Sequence, residues 1–178
     1  MKKILLGLGA AVALLLSANT SQAQYKKGDK LLDLGLGLNS YYTGGIPLSG
    51  IFEYGASKQI SVGGGIDYLS YHYGIPGNSY SYTSTYIAAR GSFHFSEMMN
   101  LNTNKLDIYA GLSLGYRSFS WGNGFNGNGL GLNGYYGSGL YLGIHGGARY
   151  YFSNKVAGFM ELGAMGLTNA RIGVTFKL

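Results

Sequence analysis

Ten charged residues fall within alternating, strand-like stretches of this 178-residue chain: Asp33, Glu53, Asp67, Arg90, Asp107, Arg117, Arg149, Glu161, Arg171 and Lys177. Each stands between two uncharged neighbours, as Asp33 between Leu32 and Leu34, or Arg149 between Ala148 and Tyr150. Side chains alternate faces along a strand. All ten charges therefore lie on the face opposite the apolar one. Five are acidic and five basic. The chemistry this allows is ion pairing, guanidinium forks against carboxylates, inside a small barrel whose outer face is apolar. Gly63, Gly65, Gly111, Gly115, Gly143, Gly147 and Gly173 share the charged parity and leave room for the long arginines. An ionic plug is the structural reading of such a lumen; a path for ions or protons is the functional one.

Other chemistry is thin. His72, His94 and His145 are scattered, and there is no cysteine, so neither a metal site nor thiolate chemistry is apparent. Gly122–Gly127 and Gly129–Gly134 both fit G-x-G-x-x-G, but neither opens a helix after a strand, and 32 glycines make such matches common. No catalytic residue, metal or cofactor is assigned. Charged residues make up 11% of the chain and form no basic patch, which excludes a nucleic-acid partner.

Eight elements must position these charges. Alternation predicts strands near 30–39, 47–55, 59–71, 85–95, 106–119, 139–152, 157–166 and 170–178. Most have the roughly 9–11 residues a tilted strand needs to cross a bilayer. The expected fold is all-β: an eight-stranded antiparallel up-and-down transmembrane β-barrel, a single domain over 24–178. Residues 1–23 read as a signal peptide. Lys2 and Lys3 give the positive start, Ile4 to Leu16 the apolar stretch, and Ser21-Gln22-Ala23 the small residues at the cleavage site.

Connections alternate between short ones (Ala56-Ser57-Lys58, Ser153-Asn154-Lys155, and Ser96–Lys105) and a second set: Ser40–Ile46, His72–Ser84, Ser120–Ser138 and the tight Leu167-Thr168-Asn169. In outer-membrane barrels the short turns are periplasmic and the longer loops external. Both termini are then expected in the periplasm. Lys26, Lys27, Lys30, Lys58, Lys105, Lys155 and Lys177 all fall at that end, and the external loops carry no Lys, Arg, Asp or Glu.

Aromatic placement says which face is outside. Tyr54, Phe93, Phe95, Tyr150, Phe152 and Phe176 have the apolar parity at periplasmic strand ends, and Tyr68 and Tyr116 near the external ends. Two interfacial girdles are the mark of a membrane barrel. A soluble barrel with an apolar pocket would reverse the faces.

The C-terminal run Arg171-Ile172-Gly173-Val174-Thr175-Phe176-Lys177-Leu178 resembles the assembly signal of outer-membrane barrels, with Gly173, Phe176 and Leu178 at the positions read. Leu178 departs from the usual terminal phenylalanine. Over residues 24–178 the chain resembles small outer-membrane barrels of the OmpA-barrel/OmpX type, in the barrel half of that pattern alone. The resemblance implies the outer membrane of a Gram-negative bacterium. It also implies lipid, lipopolysaccharide and the barrel-assembly machinery as partners, and a structural or adhesin-like surface role. A narrow channel in the manner of OmpW or a porin is an alternative. A lipid-modifying enzyme is a second. His94-Phe95-Ser96 resembles the His-x-Ser of lipid A deacylases, yet His94 has lumen parity at the periplasmic end. Omptin-type proteolysis needs acidic and histidine residues above the membrane, where only His72 stands.

The external loops are rich in Tyr, Ser, Gly and Asn, a composition suited to adaptable contacts. Tyr41, Tyr42, Tyr80, Tyr82, Tyr86, Trp121, Phe125, Tyr135 and Tyr136 are the residues expected to touch an extracellular glycan or protein. Trp121, Phe125, Tyr135 and Tyr136 are the leading set, on the loop Ser120–Ser138.

Overall fold

The structure is a computed structural model. It describes residues 25–42, 44–75, 78–95, 98–99, 105–122 and 137–178, with backbone alone at 73–75 and 78–80. The expected signal peptide, and Phe125, Tyr135 and Tyr136, lie outside the described residues.

Eight strands follow one another around a closed barrel: β1 (Lys30–Ser40), β2 (Leu48–Gly55), β3 (Ile60–Ile75), β4 (Asn78–His94), β5 (Leu106–Trp121), β6 (Gly139–Tyr151), β7 (Val156–Met165) and β8 (Thr168–Lys177). Each pairs antiparallel with the next, and β8 closes on β1 through pairs such as Leu32 with Phe176. Closure satisfies every strand edge, which an apolar surrounding demands of any sheet that crosses it. Tyr25 and Leu178 sit at the same end, here the terminal end, where the Leu178 amide donates to the Lys30 carbonyl.

The parity read in the sequence is the parity of the wall. Outward residues are apolar and bare: Leu34 at 50%, Leu114 at 57% and Leu142 at 68% exposure, while Asp33, Glu53, Asp107, Arg149 and Glu161 inside are at 1% or less. This inverts a water-soluble protein, and an apolar surface of this extent needs lipid against it. Tyr54, Tyr150, Phe152 and Phe176 ring the exterior near the terminal end, and Tyr68 and Tyr116 stand toward the far end.

Two boundaries differ from expectation. His72–Ser84 is not a loop. β3 and β4 continue to Ile75 and from Asn78, paired through to Ile75 with Asn78. Strands β3, β4 and β5, at 16, 17 and 16 residues, exceed what a crossing requires and rise as a wall beyond the far rim. Alternating Tyr, Ser and Thr in this stretch support a ladder as well as a loop. The tight turn after β7 centres on Gly166 and Leu167, and Thr168 already belongs to β8. Gly166 takes φ +58°, and a Cβ there would strike the Tyr86 ring, so turn and packing both need glycine.

Candidate functional site

The lumen begins at the terminal end with an aromatic lid. The Tyr25 ring stacks on His94 at 3.5 Å between centroids and 2° between planes. Its hydroxyl donates to the carbonyls of Ile60 at 2.6 Å and Ser57 at 2.9 Å, so the segment before β1 is tied to the β2–β3 turn. Burial pushes the Tyr25 hydroxyl well up, with the Asp107 and Glu53 charges adding to it. It remains a donor at neutral pH.

Beneath the lid, His94 Nδ1 lies 2.9 Å from Asp107 Oδ1, and Nε2 lies 3.0 Å from Ser61 Oγ. The order serine, histidine, carboxylate is that of a nucleophilic triad. Ser61 is wholly buried, however, and neither the lumen cavity nor the groove on the outer wall touches it. The arrangement fixes the orientation of an imidazole and gives no substrate access to the serine.

A continuous ion-pair network fills the middle. Arg149 Nη2 reaches Asp33 Oδ2 at 2.7 Å and Glu53 Oε2 at 2.6 Å, and its Nη1 lies 3.5 Å from Asp107 Oδ2. Its guanidinium covers the Tyr109 ring at 4.1 Å. Glu53 passes to Arg90 at 2.9 Å, and Arg90 to Glu161 at 2.7 Å. Glu161 also accepts from Tyr109 Oη at 2.9 Å and pairs with Arg171 at 3.1 Å. Arg171 ends the chain on both oxygens of Asp67, at 2.7 and 2.9 Å. Ser92 Oγ donates to Glu53 at 2.7 Å and lies 3.0 Å from His145 Nε2. Glycine makes these approaches possible: a Cβ on Gly111 would lie 2.7 Å from His145 Nε2, and one on Gly147 would lie 2.8 Å from Tyr109 Oη.

Of the ten charges expected in one lumen network, Asp33, Glu53, Asp67, Arg90, Asp107, Arg149, Glu161 and Arg171 are joined. Lys177 and Arg117 are not. Lys177 sits at the terminal rim, 2.7 Å from Asp29 and 5.1 Å from the Tyr151 ring centre. Its register beside Leu31 places it at the strand end. Arg117 lies toward the far end, against the rings of Tyr42 at 5.8 Å and Tyr141 at 5.4 Å. The network thus sets five carboxylates against three arginines, with His94 on Asp107. Equal numbers read along the chain do not survive the separation of the charges by level.

Above Arg171 a cavity of about 30 Å³ is lined by Asp67, Tyr86, Arg90, Ser113, His145 and Arg171, among others. That is room for about one water. Beyond it an aromatic cluster closes the far end. Tyr82 and Phe119 stack at 5.5 Å, Tyr42 lies 5.2 Å and Trp121 5.1 Å from Phe119, and Leu69 and Leu167 are fully buried beside them. Tyr42, Tyr82 and Tyr86, expected as loop contacts, are buried at 5%, 8% and 4% exposure. The extended strands turn Tyr82 and Tyr86 inward, and the Tyr82 hydroxyl donates to the Gly44 carbonyl at 3.0 Å. Tyr41 is exposed and Trp121 half-buried.

Sequence reading missed Tyr25, Ser61, Ser92 and Tyr109 as partners. Parity marks the last three as inward, but no periodicity extends to Tyr25, which precedes β1.

No family model matches the sequence, and no curated protein is similar to it. Solved structures share its architecture. OprG from Pseudomonas aeruginosa superposes with a TM-score of 0.57 at 12% identity, over 88% of this chain and 98% of that one. The N-terminal β-barrel domain of Pseudomonas aeruginosa OprF gives 0.55 at 13% identity, over 86% and 100%. A de novo designed transmembrane β-barrel gives 0.55 at 16%, over 87% and 99%. At such identities the likeness establishes the fold: an eight-stranded transmembrane β-barrel.

Proposed function

We propose that this protein is an integral outer-membrane barrel whose lumen is closed to solutes, and that its role is structural or lies in contacts at the external surface. Catalysis has no part in this reading. The observation that carries it is the filled lumen. Eight buried charges are tied to one another, a cavity among them holds about a water, and aromatic rings pack at both ends of the described lumen.

Orientation follows from charge. Lys26, Lys27, Lys30, Lys58, Lys105 and Lys155 are exposed at the terminal end, whereas the connections at the far end have no formal charge. This supports a periplasmic terminal end, reached by way of the signal peptide at 1–23. Lipid and lipopolysaccharide then surround the wall. The barrel-assembly machinery is the proposed reader of Gly173, Phe176 and Leu178, of which Phe176 and Leu178 face outward.

Planar-bilayer recording separates this reading from a narrow channel. We expect no steady conductance from the purified barrel, and a persistent open level would refute the closed lumen. Deleting 123–136 tests the surface role. Changed cell attachment with unchanged permeability supports it, and unchanged attachment leaves a structural component.

A further inference from the structure

Exposed lysines ring the terminal rim of the barrel. Lys26, Lys27 and Lys30 lie on the segment that enters β1, Lys58 on the β2–β3 turn, Lys105 at the end of the β4–β5 connection and Lys155 on the β6–β7 turn. Every connection at this end therefore carries a cation on its surface. Lys177, on the closing strand, is held by Asp29 at 2.7 Å. Beside Asp29 this end has one acid in the sequence, Glu97 of the β4–β5 connection. The other five acids belong to the central network. The connections at the far end have no formal charge. The two rims thus differ by a ring of positive charge.

The ring stands on an ordered frame. The Lys30 carbonyl accepts from the Leu178 amide at 2.9 Å, the Lys105 carbonyl from Tyr151 at 2.8 Å and the Lys155 carbonyl from Lys177 at 2.8 Å. It also stands against the aromatic girdle. Lys30 is the register partner of Tyr54 and shares its outward parity. Lys105 is tied to Tyr151, which lies between the outward Tyr150 and Phe152, and Lys155 follows Phe152 around one turn. Such girdles mark the depth of the lipid headgroups. A lysine beside one lays its stem along apolar surface and keeps its ammonium among those headgroups.

What an ammonium meets at that depth is a lipid phosphate. Charge complementarity favours a headgroup with net negative charge over a zwitterionic one. Spacing narrows the class further. Lys58, Lys105 and Lys155 stand singly on separate turns, which suits headgroups of one net charge. A lipid with several phosphates, such as lipid A, calls for cations gathered at one place.

We propose that the terminal rim is a site for anionic phospholipid, a shell of singly charged headgroups such as phosphatidylglycerol whose phosphates pair with Lys30, Lys58, Lys105 and Lys155. The orientation proposed above decides only which leaflet supplies them.

The barrel is reconstituted into phosphatidylcholine vesicles that contain spin-labelled phosphatidylglycerol or spin-labelled phosphatidylcholine. Electron paramagnetic resonance then reads the share of label immobilised on the protein. We expect phosphatidylglycerol to be held about fivefold more strongly at low salt. The preference should fade as salt rises from about 0.01 to about 1 M, where the screening length falls from about 30 to about 3 Å. Lys58→Gln, Lys105→Gln and Lys155→Gln combined should reduce it, and the same three positions changed to arginine should keep it. Equal retention of the two lipids by the wild type, a preference that survives high salt, or one unchanged in the glutamine variant would overturn the proposal. Stronger retention of spin-labelled lipid A than of phosphatidylglycerol would overturn the choice of ligand. The wild-type salt series decides even if a variant fails to fold. A conducting pore in bilayer recording would sink the closed lumen and leave this rim untouched.

Discussion

Arg149 shows how much a single side chain can hold. It is fully buried, meets Asp33 and Glu53, and approaches Asp107, so its removal would leave three carboxylates short of a cation. Stripping one partner from a buried ion pair costs about 3–5 kcal/mol. Arg149→Leu is therefore expected to destabilise the barrel by about that much. Leu142→Ala on the bare outer wall should cost about 1 kcal/mol, since lipid refills the space and little apolar burial is lost. Urea unfolding of vesicle-inserted protein measures both, and equal midpoints would contradict the network's role. Arg117 is the instructive contrast. It shares the inward parity but not the carboxylates, so Arg117→Leu should perturb stability far less than Arg149→Leu.

At the scale of elements, the segment before β1 is a latch. Tyr25 covers His94 and binds the carbonyls of the β2–β3 turn through its hydroxyl alone. Tyr25→Ala should leave the closed barrel intact, because no strand pair depends on it, while opening His94 to water. Diethyl pyrocarbonate should then modify His94 several times faster than in the wild type. An unchanged rate would mean that some other group closes this end. Burial holds the Tyr25 hydroxyl protonated above the ordinary tyrosine value. The latch therefore contributes fully below pH about 10 and is lost as pH rises through the elevated value. The wall of β3–β5 shows the same principle at the other end. Strands longer than a bilayer crossing persist because each backbone group still finds its partner across the ladder.

For the molecule as a whole, Tyr25 and Leu178 both lie at the lysine-bearing end. In intact cells an epitope appended after Leu178 should be inaccessible to antibody, and one inserted between Pro76 and Gly77 should be accessible. The reverse labelling would invert the proposed orientation. The same closure that removes strand edges confines the interior, so its charges must neutralise one another or hold protons. Five carboxylates, one of them paired with His94, set against three arginines meet that demand only as a connected set.

Strand number, antiparallel order and the identity of the outer face were legible in the sequence. A period of two, applied to Asp33, Arg149 or Leu142, assigns each to a face without knowledge of its neighbours, because the pleat is a local property of the backbone. Height within the lumen is not local. It depends on strand tilt and register, which is why Lys177 falls at the rim, Arg117 among tyrosines and Arg149 at the centre although all three share one parity. The same holds for His94, which meets Ser61 from a neighbouring strand, and for Tyr25, which no periodicity reaches. Tertiary structure alone decided which inward charges meet, which are left over, and what closes the two ends.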